Sequence, residues 1–208
     1  MKIPDQEEVW NSIARDWKEY RNVMGPGVEW FFKEIVKKSE GRVLDLGCGS
    51  GRNFIKNKGK IYGVDFSKEM LKFAELDAEK KDIDVEVKLM KKSIPFEDDF
   101  FDYAICIAVL HCLNKKEQGV MLDELHRVMK RGGKALVSVW SKKSPRLKNK
   151  NKEDLIPWSV KNDEKVVKLK RYNYIYDKEE LEQDLKDVGF KIVKSWEERN
   201  VNVLVKKV

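Results

Sequence analysis

Residues Val43 to Asn53 read VLDLGCGSGRN, and this stretch decides the fold. A short apolar strand pattern, with an acid at Asp45, runs into a turn that has glycine at 47, 49 and 51. Lacking a Cβ, glycine tolerates positive φ and lets the backbone pass close to a ligand. Such a turn is either a ligand cradle or a tight strand-to-helix connection with nothing bound. A second apolar run, Lys60 to Val64, ends in another acid, Asp65, placed where it can hold ribose hydroxyls, and this favours the cradle.

Dinucleotide folds use a related design, GxGxxG with an acid about 20 residues on. Here the spacing is GxGxG. With Asp45 before the first glycine and Asp65 after the second strand, the pattern resembles class I S-adenosylmethionine methyltransferases. That resemblance implies a glycine turn facing the methionine part of the cofactor and Asp65 facing its ribose.

Outward from the turn, strands and helices alternate. Two helices precede it, Asp5 to Tyr20 and Val28 to Lys38, divided by the loop signal Met24-Gly25-Pro26-Gly27, and residues 1–40 are expected to cap the site. After it come a helix capped by Ser67 and an alternating strand, Asp84 to Leu89. Phe101 to Leu110, FDYAICIAVL, is apolar almost throughout, as a central parallel strand beside the first would be. A helix from Lys115 to Met129 carries Met121, Leu125 and Val128 as a core stripe, and Arg131-Gly132-Gly133 turns into the strand Lys134 to Trp140. Last come a helix at Lys178 to Asp187, a stop at Gly189 and a hairpin of Phe190 to Trp196 with Val201 to Val205. The expected architecture is α/β and Rossmann-like: a single domain, 1–208, with a seven-stranded, mostly parallel sheet, helices on both faces and an antiparallel addition at the C-terminus. Ligands then sit at the carboxyl ends of the strands, where Asp45, Asp65 and His111 fall.

Bulk properties fit one domain of 208 residues. No apolar run approaches a membrane span, and the acidic N-terminus lacks a signal peptide's apolar core, so the expectation is a cytoplasmic protein without membrane contact. Cys48, Cys106 and Cys112 have no CxxC spacing and suggest neither a disulfide framework nor a metal site. The net charge of +7 is concentrated. Between Ser141 and Tyr172 lie eleven Lys or Arg against four Asp or Glu, which leaves the rest of the chain neutral. Residues 141–176 therefore form a basic insertion suited to a polyanion, and with Trp158, Tyr172, Tyr174 and Tyr176 among its cations, nucleic acid is the natural candidate. The alternative is a solvated lysine-rich loop whose aromatics pack onto the sheet.

Several pieces together resemble the tRNA wobble-uridine family that esterifies 5-carboxymethyluridine. These are Val9 to Arg21 (VWNSIARDWKEYR), the glycine turn, Ile94-Pro95 before Phe101-Asp102, Ile107 to His111 (IAVLH), Gly132 to Trp140, Ile156-Pro157-Trp158, and Arg171 to Tyr176 (RYNYIY). The last two are the more specific. One departure stands out: where the family has an acid after its third strand to meet adenine, this chain has Met90 then Lys91.

The resemblance implies a cofactor site of Asp45, Gly47, Cys48, Gly49, Asp65, Phe66, Met90, Lys91 and Ile107, binding S-adenosylmethionine and releasing S-adenosylhomocysteine. Trp158, Lys168, Lys170 and Tyr172 are the expected contacts to a tRNA anticodon stem-loop. Arg21, Arg171 and His111 are the candidate catalytic residues. A carboxymethyl group with a pKa of about 4 is ionised at neutral pH, so it needs orientation by arginines rather than a general base. For His111 a hydrogen bond to the substrate and a structural hydrogen bond both remain open. A small-metabolite methyltransferase keeps the same fold but makes the basic insertion incidental, and a noncatalytic RNA-binding protein would retain only a degenerate pocket. The family also works with a small zinc-containing activator protein, for which the exposed strand Asp84 to Leu89 offers an edge.

Overall fold

The computed structural model describes residues 2–37, 39–145, 147, 149–162 and 165–208. Its main sheet has the order β3-β2-β1-β4-β5-β9-β8, formed by β1 (Val43–Leu46), β2 (Ile61–Asp65), β3 (Val85–Leu89), β4 (Phe101–Ile107), β5 (Met129–Trp140), β8 (Phe190–Glu197) and β9 (Asn200–Lys207). The first five are parallel to one another, and β9 lies antiparallel between β5 and β8, so the Rossmann-like, mostly parallel seven-stranded sheet expected from the sequence is present. Strand order reverses between β1 and β4, and the crevice at such a switch point, outside the carboxyl ends of the strands, is where ligands bind.

Alternation along β1 assigns its residues to the two faces. Leu44 and Leu46 join a core with α4 (Lys115–Val128) and α5 (Lys178–Asp187), through Leu122, Leu125, Leu181 and Leu185. Val43 faces the other way, into a core with Phe31, Val36 and the Leu71, Ala74 and Ala78 face of α3 (Lys68–Lys81). Both helices at the site edge have side-chain caps. Ser67 Oγ accepts from Met70 N, and at α4 Asn114 and Glu117 form a reciprocal capping box.

Three boundaries differ from the sequence expectation. The apolar run from Phe101 stops being strand at Ile107: Ala108 takes φ 64°, and Leu110–Cys112 form a 3-10 turn that carries the chain over the end of the sheet. Arg131-Gly132-Gly133 lies inside β5 as a bulge, absorbed between the pairs Phe101↔Met129 and Tyr103↔Lys134. The second N-terminal helix is α2 (Val28–Phe31) continued by a π turn, Phe32–Val36; its expected end at residue 38 lies outside the described residues. Phe31, Phe32 and Val36 bury into the α3-side core. Of the two helices expected to cap the site, only α1 (Gln6–Tyr20) does so.

Trp10, Ile13, Ala14 and Trp17 form one stripe of α1 that packs across the carboxyl end of the sheet against Met70, Phe66 and Phe73. Sealing Ile13 and its neighbours there is worth about 2 kcal/mol per large side chain. Asn11 Oδ1 fixes the position by accepting from Ser67 Oγ at 2.7 Å.

The basic insertion is a second, two-stranded sheet, an element the sequence reading missed. β6 (Glu153–Asn162) and β7 (Lys165–Tyr174) pair antiparallel from Glu153↔Tyr174 to Asn162↔Lys165. Trp158, Val160 and Leu169 pack onto α1, and Gln6 Oε1 accepts from Tyr172 N at 2.9 Å. On the other side of the strand end, Tyr172, Tyr174 and Tyr176 are buried in the main core. The tyrosines expected to stack on bases are therefore packing residues, because β7 runs onto the sheet and its alternate positions face inward.

Candidate active site

At the carboxyl ends of β1, β2 and β4 lies a cleft of about 710 Å³, counting the space open to solvent at its mouth. Gly47, Cys48, Gly49, Asp65, Phe66, Met90 and Ile107, all expected from the sequence, line it. Two glycines show why the turn needs that residue. Gly47 has φ 69°, and a Cβ there would sit 2.3 Å from Val109 Cγ2; Gly49 has φ 54°, but a Cβ there would meet nothing within 4 Å. Gly47 is thus fixed by packing, whereas the space over Gly49 is open.

Asp65 organises this turn. Its Oδ2 accepts from Gly49 N and its Oδ1 from Ser67 N, each at 2.9 Å. Each oxygen retains acceptor capacity for a ribose hydroxyl. Burial raises its pKa to about 6, against the pull of the hydrogen bonds from Ser67, Gly49 and Phe66.

Asp45 does not line the cleft but lies beneath it, 1 % exposed, with both carboxylate oxygens sealed and without a hydrogen-bond partner among the described residues. Burial pushes its pKa to about 7, opposed by the charge of Arg52 and by Asn53 and assisted by the charge of Asp65. An orphaned acid under an open glycine turn suits the ammonium of a methionine moiety. Met90, 5 % exposed, gives the wall beyond Asp65 a thioether in place of an acid. Lys91 is exposed and outside the cleft, because the chain turns away directly after Met90.

Trp10 and Trp17 of α1 line the cleft, and Arg171, stacked on both rings, lies outside the lining. Its guanidinium stacks over Trp158 at 4.9 Å, Trp17 at 5.2 Å and Trp10 at 5.7 Å. The residue is 4 % exposed, and among the described residues nothing hydrogen-bonds or ion-pairs with its guanidinium. Burial lowers its pKa. Arg21 lies over the outer face of Trp17 at 5.4 Å.

His111 is placed differently from the expected substrate contact. It is 1 % exposed, outside the lining, stacked on Trp140 at 4.5 Å, and its Nδ1 accepts from Trp140 N at 3.3 Å. Burial, with Arg171 and Arg52 nearby, pulls its pKa to about 3, so the ring is neutral. The geometry is that of a structural hydrogen bond under the 3-10 turn.

Lys168 and Lys170 are exposed on β7 and, with Lys2, line a shallow groove beside Leu155 and Leu169. Elsewhere the basic insertion is partly neutralised. Lys143 pairs with Glu197, Lys150 with Asp154, and Lys152 with Asp177 and Glu180. The sequence reading did not single out Trp10, Trp17 or Arg52 as lining residues. Arg52 had a signal, since it directly follows the last glycine of the turn.

Residues 44–137 match the methyltransferase domain family model. A putative methyltransferase of Encephalitozoon cuniculi is 31 % identical over 74 % of this chain and 72 % of its own length. A tRNA (carboxymethyluridine(34)-5-O)-methyltransferase of Schizosaccharomyces pombe is 26 % identical over 93 % of this chain and 91 % of its own. Among solved structures, an S-adenosylmethionine-dependent methyltransferase of Clostridium acetobutylicum superposes with TM-score 0.70 at 18 % identity, covering 96 % of this chain and 99 % of that one. A Haloferax volcanii putative methyltransferase, solved in complex with the Trm112 methyltransferase activator, gives 0.67 at 16 % identity over 99 % and 97 %. The chain belongs to the methyltransferase family. It is an enzyme whose methyl donor is S-adenosylmethionine.

Proposed function

We propose that this methyltransferase esterifies the carboxylate of a 5-carboxymethyluridine at the wobble position of tRNA, in the cytoplasm. The observation that carries this reading is Arg171: a buried guanidinium, held between tryptophan rings, with no carboxylate among the described residues to neutralise it. A buried unpaired cation is costly, and an anionic ligand offsets that cost.

S-adenosylmethionine supplies an already activated methyl group, so the protein's task is positioning rather than proton transfer. The open backbone over Gly49 and the Asp65 oxygens would hold the cofactor's polar parts, the charge of Asp45 would act on its ammonium from beneath the turn, and Met90, Phe66 and Ile107 would wall its base. Arg171 and Arg21 orient the acceptor carboxylate, and the tryptophans keep water from it. No general base is required, which agrees with the neutral, sequestered His111. Lys168, Lys170 and Lys2 run along one surface groove and suit the phosphates of the anticodon stem-loop. The α1 cap and the 141–176 insertion thus form the acceptor side.

An activator subunit is part of this reading. β3 is a regular edge strand, whereas the opposite edge, β8, carries a register shift and bulge at Ile192/Lys194. Such features blunt an edge. β3 is therefore the edge at which a small zinc-containing protein adds.

Transfer of radiolabelled methyl to bulk tRNA, followed by mild alkali, tests the chemistry. The expected label is released by base; a label that survives is not an ester and refutes the proposal. A small-metabolite carboxylate is the second reading, favoured by the ion pairs that neutralise Lys143, Lys150 and Lys152. In that case Lys168→Ala with Lys170→Ala leaves the rate unchanged.

A further inference from the structure

The cage around Arg171 contains an imbalance of hydrogen-bonding groups. Arg171 Nε, Trp10 Nε1 and Trp158 Nε1 are all sealed from solvent, and none has a partner among the described residues. All three are donors. Trp10 is 9 % exposed and Arg171 4 %, and Trp17 joins them, its ring 4.8 Å from Trp10 and 5.4 Å from Trp158. Neither an indole nor a guanidinium can accept a hydrogen bond, so the cage cannot satisfy itself by rearranging. Each orphaned buried donor carries a desolvation cost that only an acceptor relieves.

We propose that the indole N–H groups of Trp10 and Trp158 join Arg171 Nε in a donor-only site that admits a carboxylate and rejects the corresponding carboxamide. This rests on the reading that the acceptor is a carboxylate, and adds two tryptophans as determinants of its selectivity. A carboxylate presents about four acceptor sites and no donor. Its carboxamide has the same shape but places an NH2 against donors, and it brings no charge to Arg171. Discrimination against a near-isostere is strong when the site's own polar groups would be left unpaired. The methyl ester made by the reaction loses the negative charge, so the same site holds product less tightly than substrate.

The test uses the full chain with S-adenosylhomocysteine present. 5-Carboxymethyluridine and 5-carbamoylmethyluridine nucleosides are titrated by calorimetry and by quenching of the tryptophan fluorescence. The wild-type protein is expected to prefer the carboxylate at least about tenfold, and Trp10→Phe and Trp158→Phe, which keep a ring but remove the N–H, are each expected to narrow that preference by about three- to tenfold. Equal affinity for the two nucleosides overturns the inference, as does a parallel loss for both in the two variants. The outcome separates from that of the alkali experiment. If tRNA acquires a base-labile methyl while the nucleosides are bound alike, the donor-only site falls and the proposed function stands. If the carboxylate is preferred but tRNA stays unlabelled, the tRNA reading falls and the site reads some other carboxylate.

Discussion

Replacing Asp45 by asparagine should make the protein more stable at neutral pH and a poorer binder of its cofactor. Asp45 is sealed beneath the glycine turn, and its folded pKa of about 7 stands above the ordinary 3.8. The folded protein therefore keeps a proton that the unfolded chain has already lost, so this residue's cost to stability is absent below about pH 4, grows as pH rises, and levels off above about 7. Each tenfold change in acidity between the two states is worth about 1.4 kcal/mol, so the full cost is at most about 4 kcal/mol. That is a large share of a typical stability of about 5–15 kcal/mol. Urea denaturation of both proteins from pH 4.5 to 8 measures it. The Asp45→Asn curve should lie above wild type at pH 8 by about 2–4 kcal/mol and converge with it toward pH 4.5. Calorimetry with S-adenosylmethionine at pH 8 should show the opposite order, since the neutral amide offers no charge to the ammonium. Equal stability of the two proteins at pH 8 would refute the buried-carboxylate argument, and equal cofactor affinity would remove Asp45 from the binding site.

The two turn glycines should fail in different ways. Gly47→Ala meets Val109 at 2.3 Å as well as positive-φ strain, so thermal denaturation should show a loss of several kcal/mol. Gly49→Ala pays only about 1–2 kcal/mol of strain, and calorimetry should find its main effect in cofactor affinity. For the groove, Lys168→Ala and Lys170→Ala should each reduce the slope of log K against log salt for tRNA by about 0.7–0.9; an unchanged slope takes these lysines out of the phosphate path. Because His111 is neutral across the working range, pH–rate profiles of wild type and His111→Gln should have the same shape. An inflection near the ordinary histidine pKa, about 6.5, that disappears in the variant would restore His111 to the chemistry.

The donor side of the cleft was legible in the sequence because local rules dictate it. Only glycine fits the backbone at 47, an acid at a strand end can hold both the turn and a ligand, and Ser67 caps the next helix on its own. The acceptor side depends on residues far apart in the chain. Trp10 and Trp158 both reach Arg171 only because α1 lies across the sheet ends and the β6–β7 hairpin folds back on it, and no periodicity reports that arrangement. The hairpin itself was hidden by Pro157 and by charged residues along β6, which weaken a strand pattern. Its pairing is supported instead by packing on α1. The alternating Tyr172, Tyr174 and Tyr176 gave a true strand signal whose buried face is the core. Lys91 lies outside the cleft, as does His111, for which the sequence left a structural hydrogen bond open; each adjoins a lining residue, Met90 or Cys112, and the backbone turns between neighbours.

Asp45 and Arg171 together say what kind of ligands the cleft is built for. Asp45 is a buried acid and Arg171 a buried base at the same end of the sheet, and neither forms an ion pair with the other or with any described residue. A purely structural role would be served better by an ion pair or by apolar residues of similar volume. Two opposite charges left apart, one beneath the glycine turn and one behind the tryptophan wall, make sense when ligands bring the missing charges: a cationic ammonium for the acid and an anionic carboxylate for the base. The walls between them, Trp10 and Trp17, belong to both sites, lining the cleft on one side and stacking on Arg171 on the other. Direct transfer requires the acceptor oxygen to reach the methyl in line with no side chain between them, so binding must bring the two ligands into contact past the Trp10 and Trp17 wall.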